Sequence, residues 1–224
     1  DRCLSRGLGD VYKRQDNITL KDGYIENFNK ESFDLIAGVT LDEYRLWSTF
    51  HPLYKNLSKE NLLKRLSKIF KHSHDEIIEL YSDYISDENY GYLLSSIMTD
   101  LTFGSPVEEL LSMNNNSYGY IFTPQSPLLN GELGAFHASE LPYIFGVQNN
   151  LPYQKWSPDY RDKTAEVMQD AWVNFAKNGN PSTNNFEWKP FSNSSNYALI
   201  KDSIKNINSP FKERYKLLNH AKNF

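Results

Sequence analysis

With 224 residues, 39% of them hydrophobic and 14% aromatic, the chain has enough apolar material for a sizeable core, in one large domain or two small ones. A formal net charge of −4 without a dense basic run excludes a nucleic-acid-binding surface, and the short apolar runs exclude a membrane span. The one cysteine, Cys3, excludes an internal disulfide framework and has no metal-ligand spacing. Together these point to a soluble protein of a reducing compartment, the cytoplasm before a secreted location.

Residues 1–15, DRCLSRGLGDVYKRQ, are arginine-rich, lack apolar periodicity and give way abruptly at Asp16 to Asn-, Lys- and Ile-rich sequence. They read as a translated junction rather than native sequence, the alternative being an ordinary terminal tail. Residues 16–224 therefore carry the fold reasoning. A junction there also implies that the true N-terminal part of the protein, a signal peptide included, lies outside the chain, which leaves secretion open.

FDLIAGVT (33–40) is a nearly continuous apolar run closed by a turn, as expected of a strand buried on both faces. LDEYRLWSTF follows and starts helically, with Asp42 and Glu43 in a first turn where the helix dipole favours acids. A helix over 57–70 opens at Ser58, and a second over 73–85 has Ser73 as N-cap with Glu76 at the capping-box position. Residues 89–113 are helical with a break at Gly104–Pro106, and YGYIFTP (118–124) is aromatic and β-branched enough for a strand. A loop leads on to His137. Residues 160–182 give the clearest helix, with Ala165, Met168, Trp172 and Phe175 at helical spacing and NGNP as a stop. A strand at 196–202 and a mostly polar helix at 209–221 complete the chain. Strands separated by long helical segments predict an α/β fold. Three strands are few for so much helix, so the sheet reads as part of a larger one.

Candidate chemistry is sparse. His51 precedes a proline and His220 lies in a polar helix, so both read as solvated. HSHD (72–75) has two imidazoles and a carboxylate that could share a cation on a strand; on a helix His72 and His74 would diverge. Gly104–Pro106 lacks the spacing and lysine of a phosphate loop. There remain Glu43, just past the first strand, and His137, in the loop after the second. In open α/β sheets sites form beyond the carboxyl ends of strands. A carboxylate and an imidazole there can act as an orienting pair, the acid holding one ring nitrogen while the other takes a proton. Capping by the acid and polar packing by the histidine are the alternatives that the residues alone leave open.

The same residues carry a resemblance. DLIAGVTLDEYRLW resembles the acid segment of the type B carboxylesterases, the α/β-hydrolase family of the bacterial para-nitrobenzyl-type esterases and the cholinesterases. GAFHASELPYIFG is similar to the family's histidine segment, and MTDLTFGSP, YGYIFTP, AWVNFAKNGNPST and WKPF match in order between about residues 20 and 215. The resemblance implies the C-terminal portion of an α/β-hydrolase domain over 16–224, with Glu43 as triad acid and His137 as base. It makes Glu140 a candidate supporting acid, a structural role being the alternative. It also implies a serine esterase acting on small carboxylic esters, with no cofactor or metal.

Two features depart from the family. The chain has no G-x-S-x-G nucleophile elbow, and it lacks the glycine-rich segment that supplies oxyanion-hole amides. The expected partner is therefore the missing N-terminal half of the same protein, and the chain alone is expected to be inactive. Two other readings are a non-catalytic cholinesterase-like adhesion protein and an independent α-rich domain with a structural role. The first has no use for Glu43 and His137; the second predicts cooperative folding of the chain by itself.

Overall fold

Strands form at the three predicted apolar runs: β1 (Leu35–Thr40), β2 (Ser117–Phe122) and β3 (Asn196–Ile200). The computed structural model describes residues 33–85, 89–159, 161–191 and 194–221; the stretch read as a junction, 1–15, lies outside them. From Asp34 onward the chain forms one folded unit. A fourth strand, β4 (Ile204–Asn208), was not expected, because its Ile-Lys-Asn-Ile-Asn sequence shows no clean alternation. It becomes a strand by hairpin pairing with β3, from Ile200 opposite Ile204 to Asn196 opposite Asn208.

The sheet order is β1-β2-β3-β4, with β1, β2 and β3 parallel and β4 antiparallel. It is the open mixed sheet of an α/β fold, with many more helices than strands. All six residues of β2 are buried, because both faces are covered. Tyr118, Tyr120 and Phe122 pack on one side with Ala165, Met168 and Ala171 of α8 (Arg161–Asn178). Ile121 packs on the other with Leu111 of α6 (Ser105–Ser112) and Phe191. β1 is less enclosed, with only Val39 and Thr40 fully buried.

Between β1 and β2 the chain makes a helical excursion: α1 (Arg45–Ser48), α2 (Pro52–Lys55), α3 (Lys59–Ile69), α4 (His74–Leu80) and α5 (Gly91–Thr99), then α6. After β2 come α7 (Leu141–Ile144), α8, and α9 (Lys212–Ala221) at the end of the described chain. Leu62, Leu66, Ile77, Leu93, Ile97 and Leu218 are fully buried in a core of their own under these helices. Each such side chain stabilises the layer by about 1.5–3 kcal/mol relative to exposure.

Three local expectations need correction. Asp42 and Glu43 precede α1 rather than sitting in its first turn, because the helix starts only at Arg45. Their side chains are engaged elsewhere, and the Tyr44 amide donates to Thr99 Oγ1 at 3.0 Å. Ser73 stands at the N-cap of α4, its carbonyl accepting from the Ile77 amide at 2.9 Å, but its side chain does not cap: the backbone is left-handed, at φ 64°, and the hydroxyl pairs with His72 Nδ1 at 2.9 Å. Gly104–Pro106 is no break. The helix passes through a π-turn, Asp100–Gly104, where the Ser105 amide reaches back to the Asp100 carbonyl. Pro106 follows directly on the widened turn, in the first turn of α6.

Candidate active site

The turn after β1 holds Glu43. Chain direction turns over at Leu41, whose amide still donates to the Phe122 carbonyl at 2.9 Å, and Glu43 folds back on the strand end. Its Oε1 accepts from the Thr40 amide at 2.8 Å, and the residue is only 5% exposed. Its Oε2 lies 2.7 Å from Nδ1 of His137, across 94 residues of sequence. A buried carboxylate can only accept, so Nδ1 carries the proton and Nε2 presents its lone pair. Among the described residues Nε2 has no hydrogen-bond partner, and the His137 side chain is 40% exposed. The pair is thus an imidazole whose tautomer is set from the Glu43 side and whose other nitrogen is not engaged by the described residues. Such an arrangement can accept a proton from a hydroxyl and return it to a leaving group.

Asp42 is the residue that the sequence reading undervalued. It is 5% exposed, its Oδ2 accepts from the Ala135 amide at 3.0 Å, and its own amide donates to the Ala135 carbonyl at 2.9 Å. Oδ1 meets Arg45 Nε at 3.1 Å. These bonds pin the start of the histidine loop to the acid turn. Gly134 lets them form: its φ is +59°, and a Cβ there would stand 2.3 Å from Asp42 Oδ2. The available signal was the GAF turn before His137, which demands a close backbone approach by something. In the full-length protein, Asp42→Ala should lower kcat at least about tenfold and the melting temperature too, since it leaves a buried amide unpaired at a cost of about 1–3 kcal/mol. Asp42→Asn, which keeps an acceptor, should fall between; an unchanged kcat in Asp42→Ala would mean that the histidine loop holds itself.

Glu140 follows three residues after His137. Its carboxyl is pushed up to about 7, chiefly by burial and further by the negative charge of Glu43, against lowering by its own amide, His137 and the Tyr120 hydroxyl, which donates to it. Its Oε2 is buried without a hydrogen-bond partner among the described residues. A carboxyl whose folded pKa exceeds its unfolded value stabilises the fold fully below the unfolded pKa, and that contribution is lost as pH rises through the folded one. Stability should therefore drain away between pH 4.5 and about 7. Glu140→Gln should flatten this slope, as read from melting temperatures across the window. A constant offset between the two proteins would show that Glu140 does not titrate there.

The other histidines go elsewhere. His51 caps α2, accepting from the Leu53 amide at 3.2 Å. His74 pairs with the Phe70 carbonyl at 3.1 Å and His72 with Ser73, so the HSHD imidazoles part. His220 is exposed beside the His72 ring. Among the described residues no group of three ligating side chains could hold a metal, and no helix is long and apolar enough to cross a membrane.

An open, mostly parallel sheet with helices on both faces is the architecture this chain shares with α/β-hydrolase esterases of known structure. The chain belongs to the carboxylesterase family, whose model matches residues 9–218, taking in part of the stretch read as a junction. It is 30% identical to para-nitrobenzyl esterase of Bacillus subtilis over 189 residues, which are 80% of this chain and 36% of that protein. It is 27% identical to bile salt-activated lipase of Mus musculus (84% and 34%) and 25% to phenmedipham hydrolase of Pseudarthrobacter oxydans (75% and 35%). Among solved structures, a carboxylesterase of Geobacillus stearothermophilus shares the fold with a TM-score of 0.74 at 23% identity, over 91% of this chain and 44% of that one. A thermophilic para-nitrobenzyl esterase gives 0.62 at 28% identity, over 83% and 38%. The chain thus spans about a third of the length of the curated relatives it matches.

Proposed function

We propose that this chain is the acid- and base-bearing C-terminal portion of a serine carboxylesterase that hydrolyses uncharged carboxylic esters. The observation that carries the reading is the 2.7 Å bond between Glu43 and Nδ1 of the 40% exposed His137 side chain. Names of relatives such as para-nitrobenzyl esterase and phenmedipham hydrolase support small ester-type substrates. Exposed Trp47 and Phe50, 45% and 64%, follow the acid turn and suit an apolar substrate.

In this mechanism a serine supplied by upstream sequence attacks the ester carbonyl while His137 Nε2 takes its proton. The imidazolium then donates that proton to the departing alcohol. Water, deprotonated by the same nitrogen, releases the acid and regenerates the serine. Glu43 keeps the proton on Nδ1 and stabilises the transient charge. A non-catalytic binding protein would have no use for a buried acid aligned on a half-exposed histidine. The test is to join the chain to its contiguous upstream gene sequence and treat the product with a fluorophosphonate. One serine within a G-x-S-x-G segment should be labelled in a His137-dependent manner; absence of such a segment upstream would refute the enzyme reading.

A further inference from the structure

We infer that the π-turn Asp100–Gly104 is a positioning device for His137, acting through Phe103. This rests on the reading of His137 as the base. The bond to Glu43 fixes one ring atom, and a single tether leaves the imidazole free to rock. Two aromatic rings packed together on one side of the imidazole limit that motion. Trp47 and Phe103 each lie 5.1 Å from the His137 ring, centroid to centroid, tilted by 37° and 36°. They also stack on each other at 6.1 Å and 8°.

Trp47 belongs to α1, four residues beyond Glu43, so it moves with the acid. Phe103 comes from a different part of the chain, and its direction depends on the π-turn. One extra residue in a helical turn rotates the side chains that follow by about 100° around the axis. With a regular helix through this segment, Phe103 would face elsewhere. π-turns are rare and often lie at functional sites, so this one needs support.

The support is specific. Buried Asp100 accepts from the Tyr81 hydroxyl at 2.6 Å, and Arg214 NH1 lies 3.9 Å from the same oxygen. Arg214 also rests over the Tyr81 and Tyr84 rings, at 4.6 and 5.2 Å. At the other end, a Cβ on Gly104 would stand 2.3 Å from the Tyr215 hydroxyl, so only glycine fits without displacing that ring. Thr99 accepts from the Tyr44 amide, linking the start of the turn directly to the residue after Glu43. Acid, aromatic pair and π-turn therefore form one connected unit beside the base.

The test uses the full-length protein, this chain joined to its upstream sequence, with p-nitrophenyl esters from acetate to octanoate. Phe103→Leu should lower kcat roughly ten- to a hundredfold for every ester, since misplacing a reacting group by about 1 Å costs on that order. KM should change little, and Phe103→Tyr should restore most of the rate. A loss confined to certain acyl lengths, or residing in KM, would make Phe103 a substrate wall and overturn the proposal. Asp100→Asn touches neither His137 nor substrate, so it separates the turn from the ring. It should lower kcat in the same acyl-independent way while the protein still melts cooperatively; an unchanged kcat would overturn the role of the turn. If the wild type hydrolyses none of the esters, the assignment of the base has failed. The contact is then read from the His137 Hε1 resonance, which Phe103→Leu should shift and broaden, and an unmoved resonance would refute the packing.

Discussion

In the full-length enzyme, His137→Ala should reduce kcat for a short-chain p-nitrophenyl ester by about 10⁴–10⁶-fold, with KM far less affected. In the proposed mechanism the imidazole moves the proton twice, and among the described residues no other titratable side chain shares its place: Glu43 is bonded behind it and Glu140 is buried. Glu43→Gln should cost about 10⁴-fold by a different route. An amide keeps the shape of the carboxylate, but its NH₂ can face His137 and force the proton onto Nε2. The Thr40 amide already claims one oxygen as an acceptor at 2.8 Å, so a glutamine would direct its NH₂ towards the ring. The double variant should be scarcely worse than His137→Ala, because the acid acts only through the base. Near-normal activity in either single variant would remove both assignments.

The 224-residue chain by itself should show no ester turnover above buffer, and turnover should appear only once the upstream segment is joined to it. No G-x-S-x-G occurs in the chain, and among the described residues no hydroxyl bonds His137 Nε2. A base without a nucleophile cannot form an acyl-enzyme. The isolated chain should also associate on expression. β1 is an edge of the sheet among the described residues, and exposed Leu141, Phe145 and Val173, at 43%, 74% and 48%, add apolar surface near the α7–α8 face. Clear His137-dependent turnover by the isolated chain, or a sharp two-state melt of a monomer, would count against its being part of a larger sheet.

Much of this architecture was legible in the residues. The three strands stood out because each is a short apolar run between turns, and α3 and α8 because their leucines and aromatics recur at helical spacing. β4 was illegible because a short edge strand owes its existence to its neighbour. The π-turn is hidden in sequence behind an expected break, since glycine and proline signal interruption, while the Asp100–Tyr81–Arg214 contacts at the turn join residues far apart. Glu43 and His137 stand out by their places past the strands, and the family motif favours chemistry over capping and packing for them. By residue type alone an acid after a strand looks like a helix cap. Asp42 shows the limit most clearly. Its neighbour made it look like half of an acidic first turn, and nothing local announces that it binds Ala135.

The two loops of the site leave from adjacent parallel strands whose last paired residues are Thr40 and Phe122. A slip of one residue between those strands would carry Glu43 about 3.3 Å along the sheet and reverse its face. Strand register is thus the ruler that measures the acid-to-base gap. The helical excursion between β1 and β2 contributes little to that measurement beyond the ring and the amide contacts at its two ends. Insertions and deletions should therefore be tolerated by the chemistry only in the exposed turns of this stretch, and not where Leu62, Leu66 and Ile77 fill the core or Tyr81 holds Asp100, which confines diversification of substrate access to those turns around a constant proton path.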